Sequence, residues 1–297
     1  MNQNLLALIG KKVLVCDGAM GTLLQHHGLP AGACPETWNI EHPDIIRDIH
    51  TQYFQAGADI VETNSFGGNR YRLSFHGFGD KVTDYNYAAA QLACAVRPPG
   101  KFVAGSVGPT GEYLEPIGTA SYDDFIEAFA VQISALQKGG VDLILIETMS
   151  DLQEIRAAVE AARKVAPQLP VVASMTFEKH AQGFRTMMGL STSDLINNLP
   201  AAGAQVIGAN CGLGMDQMIE LIAEIRGQTD MPVLSQANAG LPVWKEGKHG
   251  YEETPEERAV AVRKLLDIGI NIVGGCCGTT PDHIRKIREE VDRFNAG

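Results

Sequence analysis

Two adjacent cysteines, Cys276 and Cys277, lie in the glycine-rich segment GGCCG (274–278), directly after the apolar run INIV. Neighbouring cysteines rarely form a disulfide with each other, because the small ring that results is strained. A third cysteine, Cys211, lies in a similar segment, ANCG (209–212), after another apolar run. Three thiolates bind zinc at about 2.3 Å, and a catalytic zinc site uses three protein ligands and keeps one position open. The spacing therefore predicts a tri-thiolate zinc site.

Successive residues of a strand point to opposite faces, so Cys276 and Cys277 reach one metal only if the backbone bends there. The surrounding glycines, Gly274, Gly275 and Gly278, permit such a bend. The three cysteines lack C-x₂-C spacing and come from distant segments. We therefore expect the fold to form first and the metal to add function.

Two other interpretations of these cysteines stay open. Cysteine is often a small buried residue, and we assign that role to Cys16, Cys34 and Cys94. A redox-active pair is also conceivable, although adjacent cysteines do not match C-x-x-C geometry. For an adjacent pair with a third thiol in a similar position, we favour metal binding.

Carboxylates, amides and a hydroxyl follow the other apolar runs: Asp17, Glu62, Asn64, Ser106, Glu147, Thr176, Asn210 and Asn238. Glu147 ends a wholly apolar run, which is a costly place for an unpaired charge, so a functional role is favoured there. Asp17 is equally consistent with a turn or a helix cap. The three asparagines would also suit loops, where they hydrogen-bond the backbone. His283 is interpreted as a surface residue.

Apolar and amphipathic segments alternate along the whole chain. Eight runs suit strands buried on both faces: 11–18, 58–64, 101–108, 141–149, 170–177, 204–212, 232–240 and 270–278. Helical spacing marks 43–57, 122–140, 152–166, 192–203, 215–228 and 255–269, with starts signalled by Ser121, Asp151 and Thr254-Pro255. Cys94 falls in a further helical pattern.

The segments AGADIV, GGVDLI, AGAQVI and IGINIV form a weak repeat that precedes every second strand. Alternation of two kinds of unit predicts an α/β fold, a single (β/α)₈ TIM barrel over residues 1–297. An open doubly wound sheet is the competing fold, but no G-x-G-x-x-G follows the first strand. In a barrel the polar strand ends meet at one face, where chemistry takes place.

Composition narrows the partners and the compartment. The 297 residues are 45% hydrophobic and carry a formal net charge of −11, which argues against nucleic acid or an anionic membrane as partner. No run approaches the ~18 apolar residues of a spanning helix, and the first residues do not resemble a secretory signal. We therefore expect a cytoplasmic protein with reduced cysteines.

The segments DGAMGT (17–22), GADIVETNSFGGN (57–69), GSVGPTG (105–111), GANCG (208–212), ANAG (237–240) and GGCCGTTPDHI (274–284) resemble the homocysteine S-methyltransferase family. The similarity covers nearly the whole chain and is nearest to the N-terminal homocysteine-binding module of cobalamin-dependent methionine synthase. It implies a (β/α)₈ barrel whose zinc is held by Cys211, Cys276 and Cys277. The metal would activate the thiol of homocysteine as a thiolate, which accepts a methyl group to give methionine.

The resemblance also implies roles for residues around the metal. Glu147 would bind the amino group of homocysteine, with Asn210 beside it. The turn from Asp17 through Gly18 and Ala19 would hold the carboxylate, partly through backbone N–H groups. Asn238 would fill the fourth zinc position when substrate is absent.

The methyl donor is the open question. The resemblance favours a methyl-corrinoid and methyltetrahydrofolate system, with methyl-cobalamin supplied by a separate protein or domain. That partner would dock on long segments at the barrel mouth, 18–42, 64–80 and 239–254. S-methylmethionine or betaine as donor, or transfer to a different thiol, are the alternatives. The non-enzyme alternative is a metal-binding or corrinoid-docking subunit.

Overall fold

Eight parallel strands close into one barrel. The computed structural model describes residues 5–245 and 248–297. The strands are β1 (Leu14–Val15), β2 (Ile60–Glu62), β3 (Phe102–Val107), β4 (Leu143–Met149), β5 (Val171–Met175), β6 (Glu178–His180), β7 (Gly183–Arg185), β8 (Val206–Asn210), β9 (Val233–Ala237), β10 (Val243–Lys245), β11 (Lys248–Gly250) and β12 (Ile272–Gly275). The barrel order is β1-β12-β9-β8-β5-β4-β3-β2. The ring is completed between β1 and β2 by a parallel bridge between Cys16 and Ile60. The predicted (β/α)₈ fold is confirmed.

Helices follow every barrel strand. They are α1 (Leu5–Leu8), α2 (Met20–His26), α3 (Trp38–Glu41), α4 (Pro43–Ala56), α5 (Arg70–Phe75), α6 (Val82–Ala95), α7 (Tyr122–Gly139), α8 (Leu152–Val165), α9 (Thr192–Ala202), α10 (Met215–Arg226), α11 (Pro255–Ile268) and α12 (Pro281–Ala296). The predicted helix starts are confirmed. Ser121 and Thr254 form capping boxes at α7 and α11, and the Asp151 side chain accepts two backbone N–H groups of α8.

The weak repeat has a structural basis at its glycine. In each copy a glycine with left-handed backbone ends a helix: Gly57, Gly140, Gly203 and Gly269 have φ between 90° and 114°. The four helices that end there are α4, α7, α9 and α11.

The polar residue two positions after each glycine has a second role, for which we use the term entry clamp. Its side-chain oxygen accepts the backbone N–H at or next to the start of the preceding barrel strand. The clamps are Asp59 to Val15 (3.0 Å), Asp142 to Val103 (2.8 Å), Gln205 to Val171 (2.8 Å) and Asn271 to Val233 (2.9 Å). The clamps therefore tie β1, β3, β5 and β9 to the segments that enter the next strands, at the end of the barrel opposite the strand exits.

Two apolar layers fill the molecule. One cluster contains alternate strand residues, such as Leu143 and Leu145, and occupies the barrel interior, with Leu5 and Ile9 from the first helix and its end packed against it. The intervening strand residues, such as Ile144 and Ile146, pack against the surrounding helices in a larger cluster. The strands are thus buried on both faces, as their apolar runs predict.

The long segments at the mouth contain additional elements. Two antiparallel hairpins, β6 with β7 and β10 with β11, follow β5 and β9. Residues 246–247 of the predicted rim segment 239–254 lie outside the described residues. Within 5–245 and 248–297, no helix is long and apolar enough to cross a membrane.

Candidate active site

A layer of polar side chains covers the apolar interior at the carboxyl ends of the strands. Side chains alternate along a strand, so the interior positions of the apolar cluster continue at every second residue. This alternation gives the sequence Cys16, Glu62, Ser106, Glu147, Ser174, Asn210 and Gln236. Hydrogen bonds across the barrel show that these side chains meet: Ser106 donates to Glu147 (2.5 Å), and Gln236 donates to Glu62.

The sulfurs of Cys211, Cys276 and Cys277 lie within 4.8 Å of one another. The Sγ atoms of Cys211 and Cys277 are 4.0 Å apart. Two thiolates at about 2.3 Å from a tetrahedral zinc are separated by about 3.8 Å, so this donor set fits the metal. The structure thus brings together three cysteines that the sequence distributes over two strand exits.

The backbone at Cys211 directs its thiol toward the other two. Cys211 has φ of 60°, in the left-handed region that non-glycine residues rarely occupy. The conformation is held on both sides, because the Cys211 N–H donates to Gln236 O (3.0 Å) and the Leu213 N–H donates to Cys211 O (2.6 Å). Such backbone costs about 1–3 kcal/mol and is found where function requires it.

The paired cysteines lie just beyond the last strand. β12 ends at Gly275, and the chain turns at Cys277 and Gly278, so the strand alternation no longer applies to the pair. The Cys276 N–H donates to Ala237 O (2.9 Å), and the Thr279 N–H donates back to Cys276 O (3.0 Å). The backbone bend that we predicted therefore occurs immediately after the strand.

Hydrogen bonds among the thiols favour one thiolate in the cluster. Bonds from Cys211, and next from Cys276, lower the pKa of Cys277. The pKa of Cys276 is raised by its bonds to Cys211 and Cys277 and by burial. At Cys211 the bond with Cys276 lowers the pKa, but the bond with Cys277 and burial outweigh it and the net direction is upward. Negative charge therefore concentrates on Cys277.

Three carboxylates form an acidic pocket beside the thiols, made of Asp17, Glu62 and Glu147. Asp17 Oδ2 accepts the Glu62 N–H (2.9 Å), and the Glu62 and Glu147 side chains are hydrogen-bonded to each other. Within 5–245 and 248–297, the ion pairs found do not include any of these three carboxylates. Burial, followed by like charge for Glu62, raises the pKa of all three groups, that of Glu62 to about 8. A cationic group bound here would relieve this repulsion.

Asn210 positions Glu147. Its Nδ2 donates to Glu147 Oε2 (3.2 Å), while its Oδ1 accepts from Ser174 Oγ (2.7 Å) and from the Thr148 N–H (2.9 Å). Thr148 has φ of 59°, and the register of β4 shifts between Ile146 and Met149. Asn210 therefore contacts the predicted amine-binding carboxylate, and its direct contact with substrate stays a prediction.

The turn after β1 approaches the turn after β12. A Cβ on Gly18 would come within 2.6 Å of Thr279 O, so a side chain at this position would clash with that backbone. The Ala19 N–H donates to Thr279 O (3.0 Å), and this amide is therefore already bonded in the structure. The predicted carboxylate site is left with the neighbouring N–H groups, including those at the start of α2, which have no partner within the helix.

Asn238 lies beside the paired cysteines. Its Oδ1 accepts the Cys277 N–H (3.1 Å), and its role as a fourth metal ligand stays a prediction. Cys16 and Cys34 are buried, and Cys94 lies on α6 with its thiol donating to Gly140 O (3.1 Å). Asn64 hydrogen-bonds loop backbone, as one interpretation held, by donating to Pro35 O (2.8 Å).

The interpretation of His283 as a surface residue is wrong. The side chain is 6% exposed. One ring nitrogen pairs with Thr280 Oγ1 (2.9 Å) and the other with Glu253 O (2.8 Å). Its position three residues after Thr280, where it completes a capping box for α12, was the available sequence signal.

Sequence reasoning assigned no role to Glu62, Gln236 or Tyr251. Glu62 and Gln236 meet across the barrel interior, and the alternation of inward positions would have indicated both. Tyr251 hydrogen-bonds Cys277 from the loop after β9 and has no strand pattern to reveal it.

Fold and site together define a (β/α)₈ barrel with a tri-cysteine cluster and an acidic pocket at its mouth. Residues 14–291 match the family model described as homocysteine S-methyltransferase. The chain therefore belongs to the homocysteine S-methyltransferase family, and the enzyme class predicted from the sequence is confirmed.

Among curated proteins, the chain is similar to methionine synthases of mycobacteria. It is 35% identical over 311 residues to that of Mycobacterium leprae (strain TN), covering 99% of this chain and 26% of that protein. The match to that of Mycobacterium tuberculosis (strain ATCC 25618 / H37Rv) is 34% over 305 residues, covering 97% and 25%. The chain thus spans about a quarter of the length of these relatives.

A solved structure supports the fold. The metallated form of the homocysteine methyltransferase MmuM from Escherichia coli superimposes with a TM-score of 0.80. The two chains are 24% identical, and the alignment covers 97% of this chain and 99% of that one.

Proposed function

We propose that this chain binds zinc through Cys211, Cys276 and Cys277 and methylates homocysteine to methionine. The observation that carries the proposal is the convergence of three sulfurs within 4.8 Å beside a buried pocket of three carboxylates. A soft cation suits the first group, and an ammonium group suits the second. Homocysteine carries both a thiol and an ammonium group on one small skeleton.

The protein's own residues would orient the substrate. Glu147, held by Ser106 and Asn210, accepts hydrogen bonds from the ammonium group, and Glu62 and Asp17 add negative charge on the same side. The turn beginning at Asp17 faces the carboxylate. When bound, zinc lowers the pKa of a coordinated thiol and so supplies a nucleophile at neutral pH. The sulfur then displaces the donor's leaving group from the methyl carbon, giving a thioether.

For the methyl donor we propose a methyl-corrinoid carried by a separate protein or domain. Support comes from the 35% identity to a methionine synthase of which this chain spans about a quarter. Direct use of S-methylmethionine or betaine is the second candidate, favoured by the fold shared with MmuM.

The decisive experiment measures zinc and methionine together. Purified protein is loaded with zinc and incubated with homocysteine and methylcobalamin, S-methylmethionine or betaine in turn. A parallel series replaces homocysteine by coenzyme M, a thiol without an amino group. We expect one zinc per chain and methionine formation, with little reaction of coenzyme M, because the acidic pocket would then stay unneutralised.

Cys276→Ala removes one proposed ligand. We expect zinc affinity and methionine formation to fall by more than about 100-fold, since even residues around a metal ligand contribute 10–100-fold. Cys94→Ala is the matched control, because Cys94 lies on α6 and donates to Gly140 O. Unchanged zinc content in Cys276→Ala, or no methionine with any donor, would refute the proposed function.

A further inference from the structure

One aromatic side chain outside the strands reaches the cysteine cluster. Tyr251 lies in the loop before α11, and its ring packs against the backbone at Gly278, where an added Cβ would come within 2.2 Å of Tyr251 Cγ. Its hydroxyl forms a hydrogen bond with Cys277 Sγ. The bond lowers the pKa of Cys277, so the hydroxyl is the donor and the sulfur the acceptor.

Buried contacts from two helices fix this loop. The Glu253 N–H donates to Ala239 O (3.2 Å), and His283 on α12 hydrogen-bonds Glu253 O (2.8 Å). The Glu253 carboxylate pairs with Arg258 on α11, whose side chain is fully buried. Arg258 also donates to Asn238 O (2.8 Å). The phenol is therefore held at the sulfur by a connected set of interactions, as a positioning or protecting group would be.

The proposed function creates a selectivity problem that Tyr251 can solve. A methyl donor at the barrel mouth meets the substrate sulfur and the three protein sulfurs, and methylation of a cysteine would destroy the site. A hydrogen bond to a thiolate stabilises its negative charge and reduces its tendency to attack carbon. Cys211 Sγ already accepts such a bond from the Gly212 N–H.

We propose that Tyr251 protects Cys277 from the electrophile, so that the substrate sulfur is the thiolate that reacts. This inference rests on the proposed function, since it assumes that the three cysteines hold zinc. The hydroxyl supplies the hydrogen bond, and the ring covers the sulfur from the side of Gly278.

The test uses zinc-loaded protein without homocysteine. Tyr251→Phe retains the ring against Gly278 and removes only the hydroxyl. Iodoacetamide alkylates a thiolate by forming an S–C bond as the C–I bond breaks and iodide leaves with the electron pair. The alkylation rate of each cysteine is followed by peptide mass spectrometry, and bound zinc is measured in the same samples.

We expect Cys277 in Tyr251→Phe to react about tenfold faster than in the wild type, the smaller effect expected for loss of a hydrogen bond to a charged group. Rates at Cys211 and Cys276 should stay unchanged. Tyr122→Phe is the matched control, since it loses a phenol hydrogen bond to Glu160 (3.2 Å) on the outside of the barrel.

Two results would overturn the inference. One is an unchanged Cys277 rate in zinc-loaded Tyr251→Phe. The other is a joint rise at all three cysteines with loss of zinc, which would make Tyr251 a support for the metal site. If the wild type takes up no zinc, the proposed function fails and the inference fails with it, so the zinc measurement separates the two.

Discussion

Glu62 carries a carboxylate inside the barrel, where its neighbours are the carboxylates of Asp17 and Glu147 and the amide of Gln236. Burial is the main cause of its raised pKa, and the charge of Asp17 adds to it. In the folded protein without substrate, this group therefore retains its proton to higher pH than in the unfolded chain.

This difference predicts a pH dependence of stability. The pKa of Glu62 rises from 4.5 to about 8 on folding, so its stabilising contribution is complete below 4.5 and is lost as pH rises through 8. Between pH 5 and 8, the wild type's free energy of unfolding should fall by roughly 3 kcal/mol more than that of Glu62→Gln. Urea unfolding of zinc-free protein at several pH values measures this, and parallel pH curves for the two proteins would refute it.

The sequence predicted the cysteines as residues but not their surroundings. Cys276 and Cys277 stand out because adjacent thiols between glycines have few structural uses. Glu62 and Gln236 meet only because the closed barrel places β2 opposite β9, and residue spacing does not contain that register. Tyr251 depends on the path of an irregular loop, for which no periodic pattern exists.

The entry clamps act at the scale of the strand and its connecting turn. Gln205 accepts the Val171 N–H at 2.8 Å, so a buried strand gains a partner for an amide that its neighbouring strand does not supply. The same geometry recurs three more times with Asp59, Asp142 and Asn271.

Removing one clamp should destabilise the barrel without touching the site. Gln205→Ala leaves the Val171 amide unpaired, and we expect the free energy of unfolding to fall by about 1–3 kcal/mol. Gln205→Glu, which keeps an acceptor oxygen, should recover most of the loss. Denaturant titration measures both variants, and equal stability of Gln205→Ala and the wild type would contradict the role of the clamp.

Element boundaries were predicted best where a chemical signal marks them. The caps at Ser121, Asp151 and Thr254 gave helix starts to the residue. The first strand was predicted over 11–18 and is paired only at Leu14–Val15, because the residues before it form the turn after α1. The hairpin of β6 and β7 was missed, since Glu178–His180 is exposed and carries no apolar pattern.

At the scale of the whole molecule, the metal ligands are placed on a barrel that is complete without them. The apolar clusters inside and outside the sheet contain none of the three cysteines of the site. The fold class was predictable because eight buried strands alternating with helices satisfy few other topologies.

Chelation should therefore remove function and leave the fold. Treatment of zinc-loaded protein with EDTA is expected to abolish methionine formation, to lower Tm by the loss of bound ligand and to preserve the far-UV circular dichroism. Readdition of zinc to the same sample serves as the control. Loss of the helical signal on chelation would show that the metal is needed to build the structure.

The four clamps and the apolar helix α1 lie at the foot of the molecule, and every residue of the candidate site lies at the other rim. Mechanical integrity and reactivity are consequently assigned to opposite poles of one scaffold. New loops could be grafted onto the reactive pole, to accommodate a different donor or acceptor, while the foundation that keeps the staves together is left untouched.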